Sequence, residues 1–160
     1  MTGHTGNVRV YLPATMSELA DPEGLAPRRA YAVTGALSDA LPHDDDESLE
    51  YAAQLAAADA SVVRLAEHRD APRRRVVVSA DVAVQVTDQV ADPDAAPGAI
   101  EIVTPVVWSQ VACVHVDEAA AAPDVSAAIA GDLGAAERLV ERDLLWYDVS
   151  ELASLVATGR

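Results

Sequence analysis

The sequence predicts an α/β domain, a mixed sheet of five to six strands packed by α-helices, on three observations. Short β-branched stretches alternate along the chain with alanine-rich stretches of helical spacing. No linker-like shift in composition divides them, and a length of 160 residues suits one domain. Hydrophobic residues make up 51% of the chain, too many for a disordered segment despite its charge.

Residues 1–7 are polar and glycine-rich with no apolar run behind them. They read as a flexible tail rather than a signal peptide, leaving 8–160 as the domain. Val8, Val10 and Leu12 alternate with Arg9 and Tyr11, the period of a strand, and Pro13 ends it. Thr15-Met16-Ser17-Glu18 fits a capping box and starts a short helix over 15–20, stopped by Asp21-Pro22 and Gly24. Arg29 to Val33 is again strand-like, and Thr34 is placed to cap a helical turn ending near Leu41. Asp44-Asp45-Asp46-Glu47 suits the positive end of the helix that follows, over 48–68. Its polar stripe reads Glu50, Gln54, Ala57, Ser61, Arg64 and His68, so the remaining circumference, Tyr51 included, is expected to be heavily buried.

Arg73-Arg74-Arg75 leads into Val76-Val77-Val78, a run expected in a central strand buried on both faces. In so acidic a chain, salt bridges at the strand entrance outweigh a phosphate clamp as the reading of the three arginines. Val82, Val84 and Val86 alternate as a further strand, and 88–98, rich in Asp, Pro and Gly, reads as a mobile loop. Strands are expected over 100–103 and 111–116. A helix then runs over 125–130 capped by Asp124, and another over 135–142. Leu144 to Val149 forms a last strand, and Ser150-Glu151-Leu152 opens a terminal helix.

Charge excludes two function classes. The 11 basic residues against 26 acidic ones give −15, and a tracker of phosphates or of anionic membranes needs a net basic surface. No stretch of about 20 apolar residues is present to span a bilayer. Every basic residue apart from the histidines is arginine, and phenylalanine is absent, which fits the codon bias of a GC-rich genome. The core must therefore be assembled from small aliphatics. Cys113 is the only cysteine, so no intramolecular disulfide forms, as suits a cytoplasmic setting.

The standard catalytic and phosphate-binding signatures are missing. Strand alternation sets Cys113, His115 and Asp117 on one face, a nucleophile, base and orienting acid in outline. Residues two apart on a strand are separated by about 6.5–7 Å, too far for the direct hydrogen bond of a dyad, so the default reading is a buried thiol beside a hydrogen-bonded histidine. A wider group is Asp81, His115, Asp117 and Glu118. If the strands they end were parallel neighbours, one sheet edge would carry a hard divalent site for Mg²⁺ or Mn²⁺. The alternative is that Asp81 and Asp117 cap turns. Trp146-Tyr147 offers either a stacking surface for a ring-bearing ligand or a partner, or the largest anchors of the core. His4 and His43 have no partners at ligand spacing.

Four stretches taken together resemble a known set: Arg9-Val10-Tyr11-Leu12-Pro13-Ala14-Thr15, Arg74 to Val82, Val114-His115-Val116-Asp117 and Leu144-Leu145-Trp146-Tyr147-Asp148. They are similar to a domain-of-unknown-function family of small acidic proteins from actinobacteria, from residue 8 onward. The resemblance implies a self-contained cytoplasmic domain and carries over no catalytic residues and no cofactor. The sequence thus points to a non-enzymatic binding or regulatory domain that self-associates as a homo-oligomer, with a partner bearing a basic patch. The alternative is a small metal-dependent enzyme or small-molecule binder using the acidic and histidine residues at a sheet edge.

Overall fold

The valine-rich segments lie side by side. In the computed structural model, which describes residues 6–158, seven strands form one sheet. They are β1 (Asn7–Ala14), β2 (Arg28–Tyr31), β3 (Val76–Ala83), β4 (Thr87–Gln89), β5 (Ala99–Ile102), β6 (Val111–Val116) and β7 (Leu145–Asp148). Their order is β4-β5-β2-β1-β3-β6-β7, and every neighbouring pair is antiparallel. The expectation of a mixed sheet with five to six strands is corrected on both counts. Continuous valine runs signal burial on both faces, which parallel sheets usually show. Here the same burial comes from cover laid over both sides of an antiparallel sheet.

The helices are α1 (Gly35–Ala40), α2 (Asp46–Glu67), α3 (Ala122–Ile129), α4 (Leu133–Val140) and α5 (Leu152–Thr158). Alternation splits the sheet residues cleanly. Val10, Leu12, Val76, Val78, Ala80, Val114 and Val116 face one core, capped by Met16 and Leu19 of a 3-10 turn and by Leu155 of α5. Tyr11, Tyr31 and Val77 face the other side and meet Leu49, Ala53, Ala57 and Ala58 of α2. A third cluster joins Leu65 of α2 to Val125 and Leu139 of α3 and α4. Alanine is what lets α2 lie close against the sheet, since each buried methyl takes little room.

Local signals account for most boundaries. The capping box forms as read: Thr15 Oγ1 accepts from the Glu18 amide at 3.3 Å, and the Thr15 amide donates to Glu18 Oε1 at 3.0 Å. Thr34 caps α1 and Asp45 caps α2, each by accepting a backbone N–H. Asp124 does not cap α3, because Pro123 already occupies its first turn and Asp124 lies inside it. The expected strand over Val82, Val84 and Val86 divides into the end of β3 and a 3-10 turn, and β4, Thr87–Gln89, extends into the start of the expected loop. Asn7 already belongs to β1, while the remainder of the expected tail, including His4, lies outside the described residues except Gly6.

The polar stripe read for α2 is also corrected. Leu49, Ala53, Ala57, Ser61 and Leu65 form the buried stripe, whereas Tyr51 and Val63 are exposed. Ser61 explains the error: its hydroxyl donates to the Ala14 carbonyl at 2.8 Å and accepts from the Val76 amide at 3.0 Å. A buried serine whose hydrogen bonds are both met by strand ends behaves as part of the core. Turn geometry also requires glycine at position 24. Gly24 has φ +98°, and a Cβ there would lie 2.1 Å from the Val106 carbonyl oxygen, where Leu25 and Val106 form an isolated antiparallel bridge.

Glu18 links two elements beyond its cap. It pairs with Arg64 of α2 at 2.7 Å and with Arg28 of β2 at 2.8 Å. Burial alone would raise its pKa, but hydrogen bonds and charge from Arg64 and Arg28 outweigh that and hold it at about 2. A carboxylate held this low contributes stability above its unfolded value, lost as pH falls through the folded one. Glu18→Gln, which strands the buried Arg28, is expected to cost about 3 kcal/mol at neutral pH in urea unfolding. The gap should close as pH falls from about 4.5 to about 2; a gap independent of pH would contradict the pairing.

Candidate functional site

The register of β1, β3, β6 and β7 decides which polar groups meet. Tyr11 stands opposite Ser79, Ser79 opposite Cys113 and Cys113 opposite Asp148. In the next row Val77 faces His115 and His115 faces Trp146. All these side chains share the α2 face of the sheet. Because α2 lies over β1, β2 and β3, the β6–β7 side of that face is more open. His115 is half-buried there and Trp146 is 59% exposed.

Three chemically active groups converge on this floor. His115 Nε2 lies 3.1 Å from Ser79 Oγ and 3.5 Å from Cys113 Sγ. The expectation that a two-residue spacing keeps Cys113 and His115 apart is corrected. Their backbones keep the strand spacing, but the imidazole leans along the strand towards the thiol. Burial, and after it the charge of Arg9, lowers the His115 pKa, so the ring is neutral at pH 7. In the tautomer with its proton on Nδ1, Nε2 accepts a hydrogen bond from the hydroxyl of the wholly buried Ser79. The register also shows why Ser79 and Arg9 escaped sequence reasoning. Each is polar on a strand with no motif, and only pairing between distant strands reveals its neighbour.

The expected acidic group does not assemble. Asp117 is fully buried, with its carboxylate on Arg75: Oδ2 accepts from Nε at 2.8 Å and from the Arg75 amide at 2.9 Å, and Oδ1 accepts from the other guanidinium arm at 2.9 Å. It therefore neither orients His115 nor faces outward. Glu118 turns to Arg142 at 2.7 Å. Asp81 takes both arms of Arg9 at 2.8 and 3.0 Å, at the far end of β3. Since β3 and β6 are antiparallel, Asp81 and Asp117 end up at opposite edges, about 20 Å apart at ~3.3 Å per residue. Among the described residues no cluster of three or more His, Cys, Asp or Glu could hold a metal ion. Parallel pairing was the condition for Asp81, His115, Asp117 and Glu118 to converge, and it is not met.

The arginine triplet is spent inside the fold. Arg73 donates to the Leu65, His68 and Arg69 carbonyls at the end of α2, where the helix leaves acceptors unmet. Arg74 donates to the Asp117 carbonyl, and Arg75 holds its carboxylate. The helix expected over 135–142 runs instead over Leu133–Val140, so Arg138 lies on α4 and Arg142 beyond its end, yet both reach Asp124 of α3. Of the aromatic pair, Tyr147 packs partly against the first core while Trp146 stands in solvent, so Trp146 is not a core anchor.

What the fold and its polar floor define is an antiparallel α/β domain with a partly uncovered sheet face and no helix long and apolar enough to cross a membrane among the described residues. The chain belongs to a family of unknown function, DUF6912, which matches over residues 8–156. No curated protein and no solved structure matches it.

The Ser79–His115 contact has a pH signature. Protonation of a histidine whose folded pKa is depressed costs folding free energy, so its stability is complete above the unfolded value near 6.5 and falls below it. Chemical denaturation of the wild type is expected to show a loss between about pH 7 and pH 5 that His115→Gln does not share. At pH 8 the same variant should cost about 1 kcal/mol. Parallel pH curves for the two proteins would contradict the assignment.

Proposed function

We propose that the protein is a non-enzymatic binding or regulatory domain that self-associates through the edge of β7. The observation that carries this reading is the exposure of Trp146, 59% in water on an edge strand. An edge strand presents unpaired N–H and C=O groups, and soluble proteins blunt such edges with short or polar strands. The opposite edge, β4, follows that rule with Thr87, Asp88 and Gln89. At β7 the edge instead offers Leu145 and Trp146, with Val140 of the preceding helix also exposed. Tryptophan in water is costly to leave uncovered, and at interfaces it is among the residues that contribute most.

Two copies meeting edge to edge about a two-fold axis would extend the sheet and cover both Trp146 rings, since such an interface uses the same patch twice. The charge of −15 on each copy opposes this, so association should strengthen as salt screens the repulsion. Sedimentation velocity over a concentration series is expected to show a monomer passing to a dimer, more readily at high salt. Trp146→Glu should remain monomeric throughout while keeping its fold. A wild type that is monomeric at every concentration and salt would overturn the reading.

A further inference from the structure

A groove of about 670 Å³ runs along the flank of α2 nearest its N-terminal end, lined by Tyr11, Asp44, Glu47, Glu50, Tyr51 and Leu55. Tyr51, Gln54 and Leu55 also line a second hollow of about 430 Å³, bounded by Asp143 and Leu144, so the two follow the same side of the helix. Asp44 and Glu47, beside the start of α2, are explained by the helix itself. Tyr11 belongs to the core beneath α2, but the open groove beside it and the exposed ring of Tyr51 are not so explained. Tyr11 is a buried strand residue whose pKa is raised first by burial and next by the charge of Glu50. Tyr51 is 48% exposed on the helix, its hydroxyl 3.5 Å from Asp143 Oδ1. An apolar floor, one exposed aromatic wall in Tyr51 and a carboxylate rim are the features that take a cation on an apolar stem.

We propose that this groove docks a basic, extended peptide segment of a partner protein, with an arginine or lysine side chain against the exposed ring of Tyr51 and its charge towards Glu47 and Glu50. Charge complementarity selects the occupant. The chain has no lysine. Arg9, Arg28, Arg29, Arg64, Arg75, Arg138 and Arg142 are paired with carboxylates of the same chain, and Arg73 and Arg74 with its carbonyls. A second copy therefore has few cations to offer. At the far hollow Arg75 and Arg142 are present but engaged by Asp117, Glu118 and Asp124, which leaves the acidic end as the docking end. This surface is distinct from the β7 edge, so its test stands whether or not the copies pair.

The test is fluorescence anisotropy of a labelled hexa-arginine peptide titrated with the full chain at low salt. Glu47→Gln/Glu50→Gln is expected to weaken binding about fivefold to tenfold, as two exposed charges lost together should. Tyr51→Ala should weaken it about threefold with no change in net charge. A control with the same charge change elsewhere, Asp88→Asn/Glu137→Gln, should shift affinity by less than about twofold. Equal weakening by the control and the groove variant would show diffuse attraction and overturn the proposal. So would an unaffected Tyr51→Ala, or loss of peptide binding as the protein self-associates, which would give the groove to a second copy.

Discussion

A single buried ion pair sets the position of everything else. Asp117 closes β6 and Arg75 opens β3, and both side chains are removed from water. Taking two charges out of water is costly, and only near-complete hydrogen bonding makes it tolerable. The pair meets that condition: the carboxylate receives both guanidinium arms and the Arg75 amide, and the Asp117 backbone bonds Arg75 and Arg74. Removing either partner would leave the other charged, buried and unmet. The register of β3 against β6 is therefore fixed at one end by chemistry rather than by fit, which valine opposite valine would not do alone. A slip of one residue would send every side chain to the opposite face.

That register, with the pairings on either side of it, places the polar groups. Ser79 comes opposite Cys113, so His115 can reach both, and Trp146 comes beside His115 on the next strand. On the other side of β3, its pairing with β1 sets Asp81 against Arg9. The carboxylates that looked like partners in sequence are thus held apart by the antiparallel sheet and neutralised separately. Arginine does this work throughout, closing helix ends, strand ends and helix pairs from inside. The surface that remains is dominated by carboxylate, which is why the exposed Trp146 ring and the groove beside Tyr11 and Tyr51 differ from their surroundings.

Elements with a local cause were legible in the sequence. Thr15 with Glu18, Thr34 and the acids before α2 each announced a helix start through hydrogen bonds made within a few residues. β6 was bounded correctly because alternation is a property of the strand itself. Strand direction was not legible, since a valine run looks the same whether its two-sided burial comes from parallel neighbours or from separate cover. Ser61 misled the reading of α2 because its polarity is satisfied by Ala14 and Val76, neither near it in sequence. At the site, the shared face of Cys113 and His115 was readable, but Ser79, Arg9 and the commitment of Asp117 to Arg75 depend on pairing across 36 to 72 residues.

The free energy of unfolding of Asp117→Asn at neutral pH, set beside that of Asp81→Asn, tests the role of the buried pair most directly. Both substitutions remove one carboxylate charge facing an arginine, but Asp81 and Arg9 are about two-fifths exposed while Asp117 and Arg75 are almost wholly buried. The account requires a loss of about 3–5 kcal/mol for Asp117→Asn and less than about 1 kcal/mol for Asp81→Asn. Equal small losses at the two positions would show that the β3–β6 register is held by apolar packing, and that the ion pair does not set it.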